Sequence, residues 1–116
     1  GRALEGLRDD DVLVIGSGGL THNLGDLAWH AGDGAPPAAY AAAFAEWVHG
    51  RLGAGEVDAM LDWERDAPQA RRNHPSSEHL MPLYTALGAG GVAPRATRLH
   101  HAFEFGTLCL DAWRFD

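Results

Sequence analysis

With 116 residues and a net charge of −7, the chain has room for one domain and one core, and its excess of acid excludes a nucleic-acid partner, because neutralising phosphates takes surplus basic side chains. An apolar share of 46%, with four Trp and four Phe, excludes disorder. The single cysteine, Cys109, excludes an intramolecular disulfide framework, and no apolar run approaches the about 20 residues of a membrane span.

The chain opens on "GRALEGLRDDD", where Ala3, Leu4 and Leu7 fall at helical spacing before an acidic turn. There is no initiator Met and no visible signal peptide, so a fragment or processed chain of cytoplasmic origin is expected. "VLVIG", residues 12–16, is apolar throughout and rich in β-branched side chains, which predicts a strand buried on both faces. A glycine turn follows, then "HNLGDLAWH", which predicts a short helix, and "AGDGAPP", a loop.

From Ala38 to Leu52 the spacing puts Tyr40, Phe44, Trp47 and Val48 on one helical stripe, stopped by Gly53 and Gly55. "EVDAMLDWERD" predicts a second helix with Val57, Met60 and Leu61 inward. Ser76 and Ser77 are good N-caps for a third helix carrying His79, Leu80, Leu83, Tyr84 and Leu87, although Pro82 would then remove a backbone bond or kink it. "TRLHHAFEFG" and "TLCLDAWRFD" alternate with period two about Gly106 and predict a strand hairpin with a buried, structural Cys109.

The turn "GSGGLTHNL" fits none of the three standard glycine-rich chemistries. A dinucleotide fingerprint needs glycine where Thr21 stands, a Walker loop needs a lysine that the chain lacks, and a hydrolase elbow around Ser17 needs glycine at Ile15. What remains is His22, a few residues beyond a strand end, where open α/β sheets bind ligands. Its position leaves it open between a functional group and a loop histidine bonded to backbone. Asn23 adds an amide able to orient a ligand or a neighbouring carbonyl.

A second candidate is His79 in "HPSSEHLMP". In the first turn of a helix, the dipole would disfavour the protonated ring and so suit a metal ligand; a capping or core role stays open. His74 is five residues away, not at the spacing of a zincin pair, and ranks below His79. Glu104 in "FEFG" is either solvated or a carboxylate steering a histidine, while His30, His49, His100 and His101 read as structural.

Taken in this order, "VLVIGSGGLTHNL", "HPSSEHLMPLYTALGAGG" and "FEFGTLCLDAWRF" resemble the class III extradiol ring-cleavage dioxygenases, in particular the small DOPA 4,5-dioxygenase-like enzymes of the protocatechuate 4,5-dioxygenase catalytic-subunit superfamily. The resemblance covers almost the whole chain but corresponds to the C-terminal portion of one catalytic domain, residues 1–116, with an N-terminal half absent. It implies an α/β fold, three-layer α/β/α around a mixed sheet. It also implies a non-haem Fe(II) site, sometimes holding zinc, that binds a catechol and O₂ and opens the ring beside the two hydroxyls.

Carried over residue by residue, the resemblance makes His22 the histidine that lies at the metal as acid/base or ligand, and His79 the C-terminal metal ligand. Asn23 and Glu104 would then flank the substrate or the ligands. Further ligands would come from the missing half or from another chain, a homo-oligomer being one such arrangement, so the piece alone is expected to bind iron weakly and turn over nothing. Two other classes compete: a metal-free binding or scaffold relative of the same fold, and a zinc-dependent hydrolase. Intact His22 and His79 favour the dioxygenase over the scaffold.

Overall fold

The computed structural model describes residues 1–32 and 34–116; Asp33, in the expected Gly/Pro loop, lies outside the described residues. The chain begins with a 3₁₀ segment, Arg2–Asp10, in place of the expected α-helix, closed by Asp11 in the left-handed region at φ 57°. This segment crosses a later helix at Gly88, where a Cβ would stand 2.8 Å from the Arg2 nitrogen.

The expected strand over residues 12–16 does not form. Val12, Leu13 and Ile15 are 45%, 80% and 77% exposed instead of buried on both faces. A strand exists only when a neighbour takes up its N–H and C=O groups, and among the described residues nothing runs beside this one as a ladder partner. After the glycine turn, the predicted short helix is one 3₁₀ turn, Leu24–Asp26.

Helix α1 (Ala39–Gly53) follows the sequence reading closely. It buries Ala41, Phe44, Ala45, Val48 and Leu52 and leaves Tyr40 and Trp47 half-buried on its flanks. The predicted second helix is split into α2 (Val57–Leu61) and α3 (Trp63–Asp66), followed by α4 (Ala70–Asn73). Met60 and Trp63 enter the core, but Leu61 is 64% exposed, because one helical step carries its side chain about 100° away from that of Met60.

Helix α5 (Met81–Ala89) is capped at Leu80, three to four residues later than the serine caps predict. Ser77 does accept the N–H groups of Leu80 and Met81, but through its backbone carbonyl, as a turn. Pro82 thus sits in the opening turn of α5, where its missing N–H costs nothing. His79 accordingly precedes the helix rather than lying in its first turn.

The C-terminal arm is the predicted antiparallel hairpin, broken into two ladders: β1 (Ala96–His100) with β4 (Ala112–Phe115), and β2 (Phe103–Glu104) with β3 (Leu108–Cys109). Leu110 donates to the Ala102 carbonyl across the break at 2.8 Å. At the tip, in the three-residue loop between Glu104 and Leu108, Phe105 and Gly106 both take positive φ, 49° and 70°, as the two central residues of a type I′ turn require. Phe44, Val48, Met60, Leu80 and Cys109, all nearly inaccessible, form the centre of the core, and half-buried Trp113 and Phe115 of β4 pack against it. No helix among the described residues is long and apolar enough to cross a membrane.

Candidate functional site

The glycine turn is a backbone junction. A Cβ on Gly16 would fall 2.2 Å from the Pro82 carbonyl oxygen, and one on Gly18 would fall 2.2 Å from that of His79. Gly19 donates its N–H to the His79 carbonyl at 3.0 Å, Leu20 to that of Cys109 at 3.3 Å and His22 to that of Asn73 at 2.9 Å. Amides spent on protein carbonyls cannot cradle a phosphate. The turn's work is to fasten residues 18–22 to the lead-in of α5, to β3 and to α4.

Thr21 completes the junction. Its buried hydroxyl donates to the Thr107 carbonyl at 2.6 Å and accepts the Cys109 N–H at 2.7 Å. With both neighbours of His22 tied down, the imidazole is carried to the start of α5, where it meets His79. The two rings stack with centroids 3.5 Å apart and planes 17° from parallel.

The surroundings favour the neutral His22 ring. Its pKa is pushed down, first by partial burial and then by the adjacent His79, with its own backbone bond and the Glu78 carboxylate pulling the other way. A neutral imidazole has a free nitrogen lone pair, the form that ligates a metal or accepts a proton. Glu78 is held as a carboxylate by the Ser76 hydroxyl, which donates to it at 2.7 Å.

His74 lies behind this pair as a buried support. It is 2% exposed, packed 5.4 Å from the Phe44 ring and edge-on to Trp63 at 5.6 Å. Its Nε2 bonds the Leu20 carbonyl at 2.8 Å; with that nitrogen donating, Nδ1 is left as a buried acceptor without a partner. The signal in the sequence was the pair of histidines bracketing "PSSE", a turn short enough to bring both to one end of α5.

Asn23 is spent on the loop. Its amide donates to the Arg72 carbonyl at 2.7 Å and its oxygen accepts the Gly25 N–H at 3.0 Å, so it orients a neighbouring carbonyl. Glu104 is exposed on β2, and among the described residues no hydrogen bond joins its carboxylate to either imidazole. Trp29 is 66% exposed, Tyr84 gives its hydroxyl to the Met60 carbonyl, and Arg98 lies 3.6 Å from Asp111. His30 and His100 are exposed, and His49 lies 5.7 Å from the Trp113 ring.

The family described as the catalytic LigB subunit of aromatic ring-opening dioxygenase matches residues 1–109. The chain belongs to this family. Among family relatives it is 34% identical to a 4,5-DOPA dioxygenase extradiol of Beta vulgaris over 99% of its length, and 36% identical to that of Portulaca grandiflora over 99%. The Escherichia coli K12 protein of the same name is 32% identical over 95% of the chain. The chain spans about two-fifths of these relatives, 42%, 42% and 41% of their lengths.

The fold is also found in a crystal structure of an uncharacterized protein from Escherichia coli K12. It matches 97% of this chain and 46% of the other with a TM-score of 0.78 at 28% identity. The mixed helix-and-strand class is therefore shared with a solved α/β structure.

Proposed function

We propose that this LigB-family chain is the C-terminal portion of a catalytic domain that cleaves a catechol-type ring by the extradiol route with O₂, and that His22 and His79 serve its metal centre. The observation that carries this reading is the stacked pair of imidazoles, 3.5 Å apart although 57 positions separate them in sequence (79 − 22). Nothing in a purely structural scaffold requires two titratable rings face to face at its surface, which argues against the metal-free relative.

The donor set fits a non-haem Fe(II) ion, and equally zinc as a substitute, since imidazole suits both. Bound there, the ion would supply the chelation of both catechol hydroxyls and an open position for O₂. His79 acts as a ligand. His22, kept neutral by burial and by its neighbour, is a ligand or the base that takes the catechol proton. Two imidazoles do not complete a facial triad. The remaining ligands come from polypeptide outside these 116 residues, on the same or another chain, as the relatives' greater length supports.

The same completion supports a three-layer α/β/α arrangement with a mixed sheet. The run Val12–Ile15, exposed at Val12, Leu13 and Ile15, is strand-like in composition and lacks a ladder partner among the described residues, so it would gain one there. The test is oxygen uptake by the complete protein loaded with Fe(II) and given a catechol under air. Stoichiometric uptake with the ring opened beside the diol supports the reading. Cleavage between the hydroxyls, or zinc-supported hydrolysis indifferent to O₂, overturns it.

A further inference from the structure

Three side chains outside the His22–His79 pair converge in the C-terminal arm. His101 follows β1, Cys109 ends β3, and Asp111 lies in the break before β4. His101 Nδ1 is 2.5 Å from Asp111 Oδ1, Cys109 Sγ is 3.2 Å from the same oxygen, and donor atoms of all three lie within 4.8 Å of one another. We propose that His101, Cys109 and Asp111 form a second cation site, suited to a thiophilic divalent ion such as zinc.

The donor types select the ion. Thiolate and imidazole suit zinc, whereas magnesium and calcium take oxygen ligands. Zinc bonds of about 2.0–2.3 Å put tetrahedral ligands roughly 3.2–3.8 Å apart. The sulfur–oxygen pair already has that spacing. The imidazole must withdraw by about 1 Å, which a ring 39% exposed at the edge of the arm can do.

Burial supplies the second argument. The Cys109 residue and the Asp111 side chain are both fully buried, yet two donors crowd onto Oδ1 while Oδ2 has no hydrogen-bond partner. The nearest cation to Oδ2 is Arg98 Nη1 at 3.6 Å, itself without a hydrogen bond. An ion entering here replaces both donors on the crowded oxygen: the thiol proton is released to water, the imidazole binds through Nδ1 as its Nε2–H tautomer, and Arg98 stays facing the other oxygen. Two anionic donors, thiolate and carboxylate, balance the ion's charge, and water reaching past the exposed edge of His101 fills the fourth position.

The test uses Co(II) as the probe, added to the intact protein without air. Cys109 is the single cysteine of the chain, so thiolate-to-cobalt charge-transfer absorption has one source in it. The expected result is that absorption in the wild type, its loss in Cys109→Ser and on adding excess Zn(II), and its persistence in His79→Ala. No such absorption at saturating cobalt, or absorption that survives in Cys109→Ser, would overturn the site. Should Cys109→Ser fail to fold, His101→Ala, altered at the exposed edge, is expected to weaken cobalt binding by roughly tenfold or more; unchanged binding would overturn it equally.

Discussion

Gly18 and His79 meet backbone to backbone: a Cβ on the glycine would fall 2.2 Å from the histidine's carbonyl oxygen, a contact that neither main chain can relieve without moving. The junction that sets His79 beside His22 therefore depends on the missing side chain. Gly18→Ala is expected to cost about 1–3 kcal/mol and to separate the imidazoles. Gly6, with open space around it, serves as control, and Gly6→Ala should stay within about 0.5 kcal/mol. Urea unfolding of both variants checks the pair, and equal stabilities would contradict the account.

The Leu20 carbonyl depends in the same way on His74, whose Nε2 is its side-chain partner at 2.8 Å. His74→Phe keeps a ring between Phe44 and Trp63 but leaves that carbonyl buried without a donor. A loss of about 1–3 kcal/mol is expected, read from the urea midpoint. No loss would show that the carbonyl finds another donor and that His74 is not the support described.

Thr21 joins the turn to the hairpin arm through one hydroxyl used twice, toward the Thr107 carbonyl and from the Cys109 N–H. Thr21→Val conserves shape while leaving both backbone groups unpaired in a site that is 1% exposed. The expected cost is about 2 kcal/mol or more. Thermal unfolding measures it, and a change near zero would mean water replaces the hydroxyl.

The histidine cluster also gives the metal-free protein a pH dependence. His74 is pushed below the ordinary 6.5 chiefly by burial, and His22 by burial and then by His79. Because the folded state disfavours the charged rings, the unfolded chain takes up protons first. Their contribution to stability is complete above about pH 6.5 and is lost as pH falls from there through the lower folded values. Urea midpoints at about pH 7.5 and about pH 5 should fall with acid, with a shallower slope in His74→Phe. A midpoint that rises with acid, or an identical slope in the variant, would contradict the assignment.

What the sequence made legible followed from local patterning. Phe44 and Val48 on the α1 stripe, Gly106 at the hairpin tip and the buried Cys109 are short-range signals, and each stands in the fold. "VLVIG" reads as a strand on composition, but pairing is a property of two segments, and no partner accompanies it among the described residues. The start of α5 went astray because Ser76 and Ser77 outweighed Pro82, whose place in a first turn is the stronger constraint. The stacking of His22 on His79 depends on Gly16 and Gly18 lying against the backbone of residues 79–82, a tertiary contact that no spacing rule contains. The supporting bond of His74 is equally invisible to spacing, since its partner is a carbonyl 54 residues away.

Most directly at stake is whether His22 and His79 share one metal ion. Iron content and oxygen uptake of the complete, Fe(II)-loaded protein, measured for the wild type, His79→Ala and His22→Ala, address it together. The account predicts that His79→Ala loses bound iron and that His22→Ala loses ring opening. Iron retained in full by His79→Ala, together with undiminished ring opening by His22→Ala, would contradict it.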